Sequence, residues 1–433
     1  MERATFSKYS WVDFAFSLVG LCTFLVDWGS DVWVASEFYR RGDLVWFGVL
    51  VGLMVLSSAV VQTFSWFWFT YDRELPGFRA RTEGLSVFFR DRVKLSCALH
   101  VLQLGFLCRH ISAIRQGFRV WWRQEGGSEY AVYLTHDLSM LRLIETFCES
   151  APQLTLMIYV MLRTHRARAV QFVSIAASTT SIAWMVVDYH RSLRSFLPDK
   201  AEQGRSSCLI YFLWNLLLIA PRVAAVALFA AALSGYAAAL HFLTLWVVFT
   251  LWARRQGTDF MDSVGGERLY RATVGLIWYF SWFNVAEGRT RSRGVIYHAF
   301  MATDGAILLT TWWCYRDPVQ TEPYALALVV ALPLVYLLGL LFKALYYCCF
   351  HPKLWRPPPP PAREPPPPPA REPGRADDLP DAPASFTDFS VQDGAPSARL
   401  LNARMAGHAA RFYSENALDA DHEGAGGAEP PRL

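Results

Sequence analysis

Seven runs of apolar residues, at 11–36, 44–70, 168–190, 207–232, 237–253, 294–315 and 324–350, come close to the ~20 residues with which a helix crosses a bilayer. An eighth, 131–162, has the length but carries ionisable side chains and a proline. With 53% hydrophobic and 15% aromatic residues, an ordinary soluble domain is excluded, and an all-α polytopic membrane protein is expected. The first run continues past Ala35 with no small-residue cleavage site behind a short core, so no removable signal peptide is expected.

Two further segments, 95–118 and 267–285, are apolar but interrupted or amphipathic. Arginines decide their topology. Arg73, Arg79, Arg81, Arg90 and Arg92 precede the first and Arg109, Arg115, Arg119 and Arg123 fall at its end and beyond it, so the positive-inside rule puts both flanks in the cytosol. Arg254 and Arg255 before the second, with Arg289, Arg291 and Arg293 after it, repeat the pattern. Each is expected to enter the membrane as a half-helix and return. The expectation is eight transmembrane helices plus two membrane-inserted half-helices, both termini cytosolic. This order hints at two structural repeats of span, span, half-helix, span, span, in the manner of transporters. Arg163, Arg166 and Arg168 fall on the side this topology makes extracellular, against the charge rule.

The most informative segment is 137–156, DLSMLRLIETFCESAPQLTL. On a helix, Arg142, Glu145 and Glu149 share a stripe ~60° wide, beside an apolar stripe of Leu138, Leu141, Ile144 and Cys148. Pro152 has no N–H to donate and is expected to interrupt the helix. Asp13, Asp27 and Asp31 lie within ~40° of one another on the first span. Asp188 and Arg191 end the span at 168–190, Arg222 follows Pro221, and Asp304 lies near the middle of 294–315. Each charge costs roughly 2.5–3.5 kcal/mol at the bilayer centre on insertion scales. Buried ion pairing explains any one of them, whereas the set favours a polar track for a cargo. A cation or small-solute transporter and a protein that moves lipid headgroups both fit. Trp46, at the outer start of the second span, suits a gate on such a track as well as an aromatic-belt anchor.

No nucleophile-base pair, phosphate loop or metal-ligand spacing is present, so neither an enzyme nor a cofactor is expected, and no nucleic-acid partner. The histidines at 100, 110, 241 and 298 are dispersed, which argues against a metal site. Among eight cysteines, Cys348 and Cys349 stand where the last span meets the cytosol, a setting for palmitoylation. There is no Asn-x-Ser/Thr triplet.

Residues 1–350 thus form a membrane core. A proline-rich linker follows at 351–397, with Pro357–Pro361 and Pro365–Pro369 as a stiff spacer. Residues 398–433 hold an amphipathic island at 398–417, ARLLNARMAGHAARFYSENA, and an end expected to be disordered. Two aspartates in the linker suit caspases: Asp381, ending DLPD before Ala382, and Asp393, ending SVQD before Gly394. Cleavage at either would detach the island.

The strings LVDWGSD (25–31), DLSMLRLIETFCESAPQLTL (137–156), WMVVDYHRSLR (184–194), IYFLWNLLLIAPRVAAVALF (210–229), QGTDF (256–260) and YFSWFNVAEGRTR (279–291) resemble the XK-related membrane proteins, in particular their caspase-activated apoptotic scramblases. The likeness runs from about residue 10 to 350 and spreads over six blocks. It implies a plasma-membrane protein that moves phospholipids non-selectively between leaflets and exposes phosphatidylserine as an engulfment signal once executioner caspases remove the tail. It also implies a core of eight spans plus half-helices, with functional charges at Asp13, Asp27, Asp31, Glu145, Glu149, Asp188, Arg191 and Arg222. A glycosylated single-span chaperone of the basigin or neuroplastin type is the implied partner. The proline spacer departs from the family pattern. By order along the chain Asp393 matches the family's cleavage position, while Asp381 has the better tetrapeptide. A docking scaffold for a lipid-transfer protein is a third reading the resemblance leaves open.

Overall fold

The computed structural model describes residues 9, 11–74, 93–122, 128–164, 169–194, 204–286, 290–350 and 407–408, and among them every regular element is helical. Six helices among these residues are long and apolar enough to cross a membrane: Asp13–Arg41, Leu44–Tyr71, Gln171–Arg194, Ser206–Ala232, Gly235–Arg255 and Pro318–Phe350. The two other expected spans, 131–162 and 294–315, are helical but carry the charges described below, which lowers their apolarity.

Helices α1 (Trp11–Arg41) and α2 (Leu44–Glu74) are 31 residues each, about 46 Å at ~1.5 Å per residue. The turn between them closes at Gly42 in the left-handed region (φ 78°). Gly42 N–H bonds the Tyr39 carbonyl at 3.1 Å and Asp43 N–H the Phe38 carbonyl at 3.0 Å. This pairing satisfies the last carbonyls of α1 and needs a residue without Cβ at the turn.

The segment expected to dip and return is two helices, α3 (Val93–Val101) and α4 (Gly105–Trp122). The turn joining them sits against the middle of α2. Ser58 donates to the Gln103 side-chain oxygen, and Gln62 Nε2 donates to the Gln103 carbonyl at 2.9 Å. Gln62 Oε1 accepts the Phe106 N–H at 3.2 Å. Polar residues halfway along an apolar span thus supply partners for a helix-helix turn that lipid would leave unsatisfied.

Helices α5 (Ser128–Glu145) and α6 (Ala151–Thr164) join through a single π-turn, Thr146–Ser150. The expected interruption at Pro152 is therefore not a break. Pro152 cannot donate in the i→i−4 ladder, and the backbone absorbs this by bonding Ala151 N–H to the Thr146 carbonyl, one residue wider than an α-turn. The extra residue turns Glu149 inward while the helix continues.

Helix α7 (Ala169–Arg194) leads to α8 (Arg205–Ala232), which lies at the centre and packs against α6, α7, α9 (Gly235–Arg255), α11 (Thr290–Tyr315) and α12 (Pro318–Leu345). Its Ile219, Val223 and Ala227 are fully buried. Helix α10 (Val264–Phe280) lies close along α9. A Cβ on Gly275 would stand 2.8 Å from the Thr250 backbone nitrogen, so glycine sets that spacing. Helix α10 starts at Ser263, which accepts the Gly266 N–H at 3.1 Å. It ends among buried Trp278, Tyr279 and Phe280, where the chain turns extended at Ser281. Asp317 caps α12 by accepting the Val319 N–H at 3.0 Å, with Pro318 at the first helical position.

Candidate functional site: an intramembrane charge ladder

The charges of α1, α5, the π-turn and α7 meet along one seam. At one end Arg191 Nη2 bonds Asp13 Oδ1 at 2.5 Å, and its guanidinium lies 4.3 Å over the Phe16 ring. One turn along α7, Asp188 Oδ2 accepts from Arg142 Nη1 at 3.4 Å. The other nitrogen of Arg142 contacts Thr23 Oγ1 at 3.3 Å and the Met185 sulfur at 2.9 Å. Arg142 reaches α1 only because Gly20 has no side chain: a Cβ there would stand 2.3 Å from Arg142 Nη1.

Beyond Arg142 the seam becomes acidic. Glu145, Glu149, Asp27 and Asp31 lie within electrostatic reach of one another. Ser150 donates to Asp27 Oδ2 at 3.2 Å. Glu149 and Asp31 are each only 8% exposed. Polar side chains face these carboxylates: Asp31 lies against Gln153 and Glu149, and Glu149 against Ser57. From Asp13 to Asp31 along α1 is ~27 Å, close to the ~30 Å of a hydrocarbon core.

Arg222 and Asp304 form a separate group. Arg222 Nη1 bonds Asp304 Oδ2, and Arg222 Nε donates to the Tyr279 carbonyl at 3.0 Å. His241 Nε2 lies 2.9 Å from Asp304 Oδ1 and its Nδ1 3.0 Å from the Tyr279 hydroxyl. A cation at the carboxyl end of α10 suits the partial negative charge of a helix terminus. This group borders a largely apolar cavity of about 190 Å³ between α8, α10, α11 and α12. The stacked rings of Phe147 and Phe280, 6.2 Å apart, stand between π-turn and α10. The structure thus brings eight of the ten predicted charges onto one ladder and gives the other two a second setting.

Trp46 packs edge-on against Tyr159 at 5.3 Å, bridging α2 and α6. Cys348 and Cys349 are both exposed in the turn after α12. Asp381 and Asp393 lie outside the described residues. Of the island at 398–417, Gly407 and His408 are described, and His408 is buried against Tyr189, Phe260 and Tyr270.

Sequence reasoning missed a third polar group. Arg109 Nε donates to Ser65 Oγ at 2.7 Å, Nη2 to the Ser65 carbonyl at 2.9 Å, and Nη1 pairs with Asp137 at 3.3 Å. By sequence Arg109 reads only as a topology signal. Asp137 is fully buried at the start of the informative segment, and that burial was the missing signal.

Fold and site together define a polytopic helical membrane protein with a charged seam through its interior. A sequence model of the XK-related protein family matches residues 15–352. XK-related protein 8 of Gasterosteus aculeatus is 78% identical over 415 residues, covering 96% of this chain and all of that protein. The Tetraodon nigroviridis protein of that name is 73% identical over 96% of this chain and 99% of its own. That of Pan troglodytes is 44% identical over 80% and 86%. The chain belongs to the XK-related protein family.

Proposed function

We propose that this chain is an ATP-independent phospholipid scramblase of the plasma membrane, non-enzymatic and without a cofactor, whose charge ladder passes headgroups between leaflets. The observation that carries this reading is the ladder's length, about that of the hydrocarbon core, with alternating acid and base at one end and an acidic excess at the other. A zwitterionic headgroup offers a phosphate to Arg142 or Arg191 and an ammonium to the carboxylates, so each partner lost is replaced by one of like charge. Acyl tails stay in lipid.

In this reading the core has eight spans and two half-helices in two five-element units, with both termini cytosolic. The membrane phospholipids are the cargo. Executioner caspases cut at Asp381 or Asp393 and remove an inhibitory tail, and phosphatidylserine then reaches the surface. A single-span glycosylated chaperone of the basigin or neuroplastin type escorts the chain. Trp46 on Tyr159 guards the acidic end, and Cys348 and Cys349 are acylated. The buried contact of His408 with the core supports a docked tail.

Dithionite quenching of labelled lipid in liposomes holding the full chain, before and after caspase treatment, tests the proposal. The expected outcome is quenching limited to the outer leaflet before cleavage and near completion afterwards. Protection of the inner leaflet after verified cleavage would overturn it. The acidic excess around Asp27, Asp31, Glu145 and Glu149 also supports a second reading, a cation or small-solute transporter. Saturable, gradient-driven uptake without lipid movement would favour that one, and specific capture of a cytosolic lipid-transfer protein with neither activity would favour a scaffold.

A further inference from the structure

Of the four dispersed histidines in the membrane core, three have a partner at each ring nitrogen. His100 meets Ser65 Oγ at 3.0 Å and the Ser96 carbonyl at 2.8 Å. His241 lies between Tyr279 and Asp304, and His298 between the Tyr336 hydroxyl at 3.1 Å and Lys343 Nζ at 2.9 Å. His110, on α4, is the exception. It is 0% exposed, and among the described residues neither of its ring nitrogens has a hydrogen-bond partner. Buried polar atoms are nearly always satisfied, and an imidazole has two to satisfy.

Packing accounts for the ring and not for its nitrogens. Phe24 of α1 stacks on the imidazole at 5.3 Å with 15° between the planes, and Phe106 meets it edge-on at 4.7 Å. A phenylalanine would fill the same place. What calls for nitrogen is the other contact of this turn of α1. Thr23, beside Phe24, contacts Arg142 Nη2 at 3.3 Å, and Gly20, one turn back, lies against the same guanidinium. The turn from Gly20 to Phe24 thus touches both Arg142 on α5 and His110 on α4, and Arg142 is the charge whose field reaches the imidazole. Arg109, the preceding residue of α4, points about 100° away and is committed to Ser65 and Asp137. Of that pair, His110 is the one that faces the seam.

We infer that His110 is a ligand for the phosphate of a passing headgroup and forms, with Arg142, a two-sided phosphate station at the Gly20–Phe24 turn. This deepens the scramblase reading and rests on it for the cargo. The phosphodiester of a phospholipid carries two unesterified oxygens, both acceptors only. Arg142, held by Asp188 at 3.4 Å, turns its fork of donors to one of them, and the imidazole N–H, present in either neutral tautomer, donates to the other. No proton is transferred. Histidine supplies that donor without a second fixed charge beside Arg142, so the phosphate is held by one full positive charge and passes on to the next rung. A sugar-headed lipid has no such group, which makes His110 a specificity-determining residue for phosphate-bearing cargo.

The test uses the full chain with His110→Phe, which keeps a ring between Phe24 and Phe106 and removes both nitrogens, so its unfolding midpoint should hold or rise. In caspase-treated liposomes this variant should move labelled phosphatidylcholine about tenfold more slowly than the wild-type chain, while labelled glucosylceramide, which has no phosphate, moves at the same rate through both. His110→Gln, which restores a donor, should recover the phosphatidylcholine rate several-fold. Binding is read separately in detergent. Dihexanoyl-phosphatidylcholine should raise the unfolding midpoint of the wild-type chain and not that of His110→Phe, with dihexanoylglycerol and inorganic phosphate each leaving both unchanged. Equal slowing of the two labelled lipids makes His110 a structural residue and overturns the inference, and an equal midpoint shift with inorganic phosphate overturns the lipid assignment. If His110→Phe matches the wild-type chain in phosphatidylcholine rate and midpoint shift, the station fails and the scramblase stands. If the midpoint shift is lost in His110→Phe as expected but no form of the chain moves lipid, the station stands and the scramblase reading fails.

Discussion

Gly20→Ala isolates the ladder's central contact. Alanine is normally the better helix former, by about 0.8–1 kcal/mol over glycine, so on propensity alone the variant would gain stability. Against this, its Cβ would fall 2.3 Å from Arg142 Nη1 and 2.8 Å from Cζ. The guanidinium can swing away, but only by giving up Asp188, Thr23 and Met185. Hydrogen bonds to charged groups are worth about 1.5–3 kcal/mol in water-soluble proteins, and measured intramembrane bonds average nearer 0.6 kcal/mol. Over three contacts at the intramembrane value the loss is about 1.8 kcal/mol, which exceeds the propensity gain and gives a net cost of about 1 kcal/mol. In an Arg142→Met background there is no guanidinium to displace, and Gly20→Ala should be neutral or stabilising. Thermal unfolding of the four chains of this cycle, read by size-exclusion fluorescence in detergent, measures the coupling. A rise in midpoint for Gly20→Ala alone, or the same shift in both backgrounds, would refute the assigned contact.

Asp304→Ala leaves the buried Arg222 charge with only the Tyr279 carbonyl and ring, so it should destabilise by about 3–5 kcal/mol, while Asp304→Glu should recover part of the loss; yield of monodisperse protein and its unfolding midpoint report both. Glu267→Ala removes the acceptor for two buried backbone N–H groups, those of Phe260 and Met261, each about 1–3 kcal/mol to leave unsatisfied, and hydrogen exchange over 256–263 should accelerate at least tenfold. Gln103 sits at φ 63°, so Gln103→Val should cost about 2 kcal/mol or more through strain at a left-handed residue and the lost bond to Ser58, whereas Gln103→Gly loses the same bond but relieves the left-handed backbone and should cost much less; unfolding midpoints separate the two. Acyl-exchange labelling of the chain expressed in cells should report lipid on Cys348 and Cys349 and disappear in the double serine variant.

The helical class was legible because length and apolarity are local properties of a span. That the apolar segment 95–118 is interrupted was legible from its own residues, and the structure divides it into Val93–Val101 and Gly105–Trp122. The meeting of Asp27 and Asp31 with Glu149 was only half legible: the stripes could be read, but which helices face one another depends on packing. Pro152 misled because a proline near a helix start can be accommodated by widening one turn, and no pattern in the sequence separates that from a break. The pairing of Arg109 with Asp137 was not legible because nothing local says that an arginine inside an interrupted apolar segment will turn inward to Ser65. His408 was invisible as a ligand. Its partners come from segments more than a hundred residues away, and an amphipathic island announces that it docks without saying what it touches.

The separation of Arg222 and Asp304 from the ladder bears on how the scramblase reading works. On the ladder, Arg142 faces two demands: Asp188 on one side at 3.4 Å and the four carboxylates on the other. A long contact leaves that guanidinium weakly committed, so an arriving phosphate can replace Asp188 with little change in the number of charge-assisted bonds. Arg222 is the opposite case. It is tied at once to Asp304, to the Tyr279 carbonyl and, through its face, to the Tyr279 ring at 4.4 Å, and His241 braces the same carboxylate at 2.9 Å. A group so fully committed serves to hold α8, α10 and α11 together, where α10 ends inside the protein. The two substitutions should therefore part company. Arg142→Gln should abolish lipid movement in caspase-treated liposomes while the fold survives, because its three contacts are worth only about 2 kcal/mol at the intramembrane average. Arg222→Gln should lower the yield of folded chain first, and the fraction that folds should still scramble. If folded Arg222→Gln chain were inactive and Arg142→Gln chain active, the ladder would not be the headgroup path.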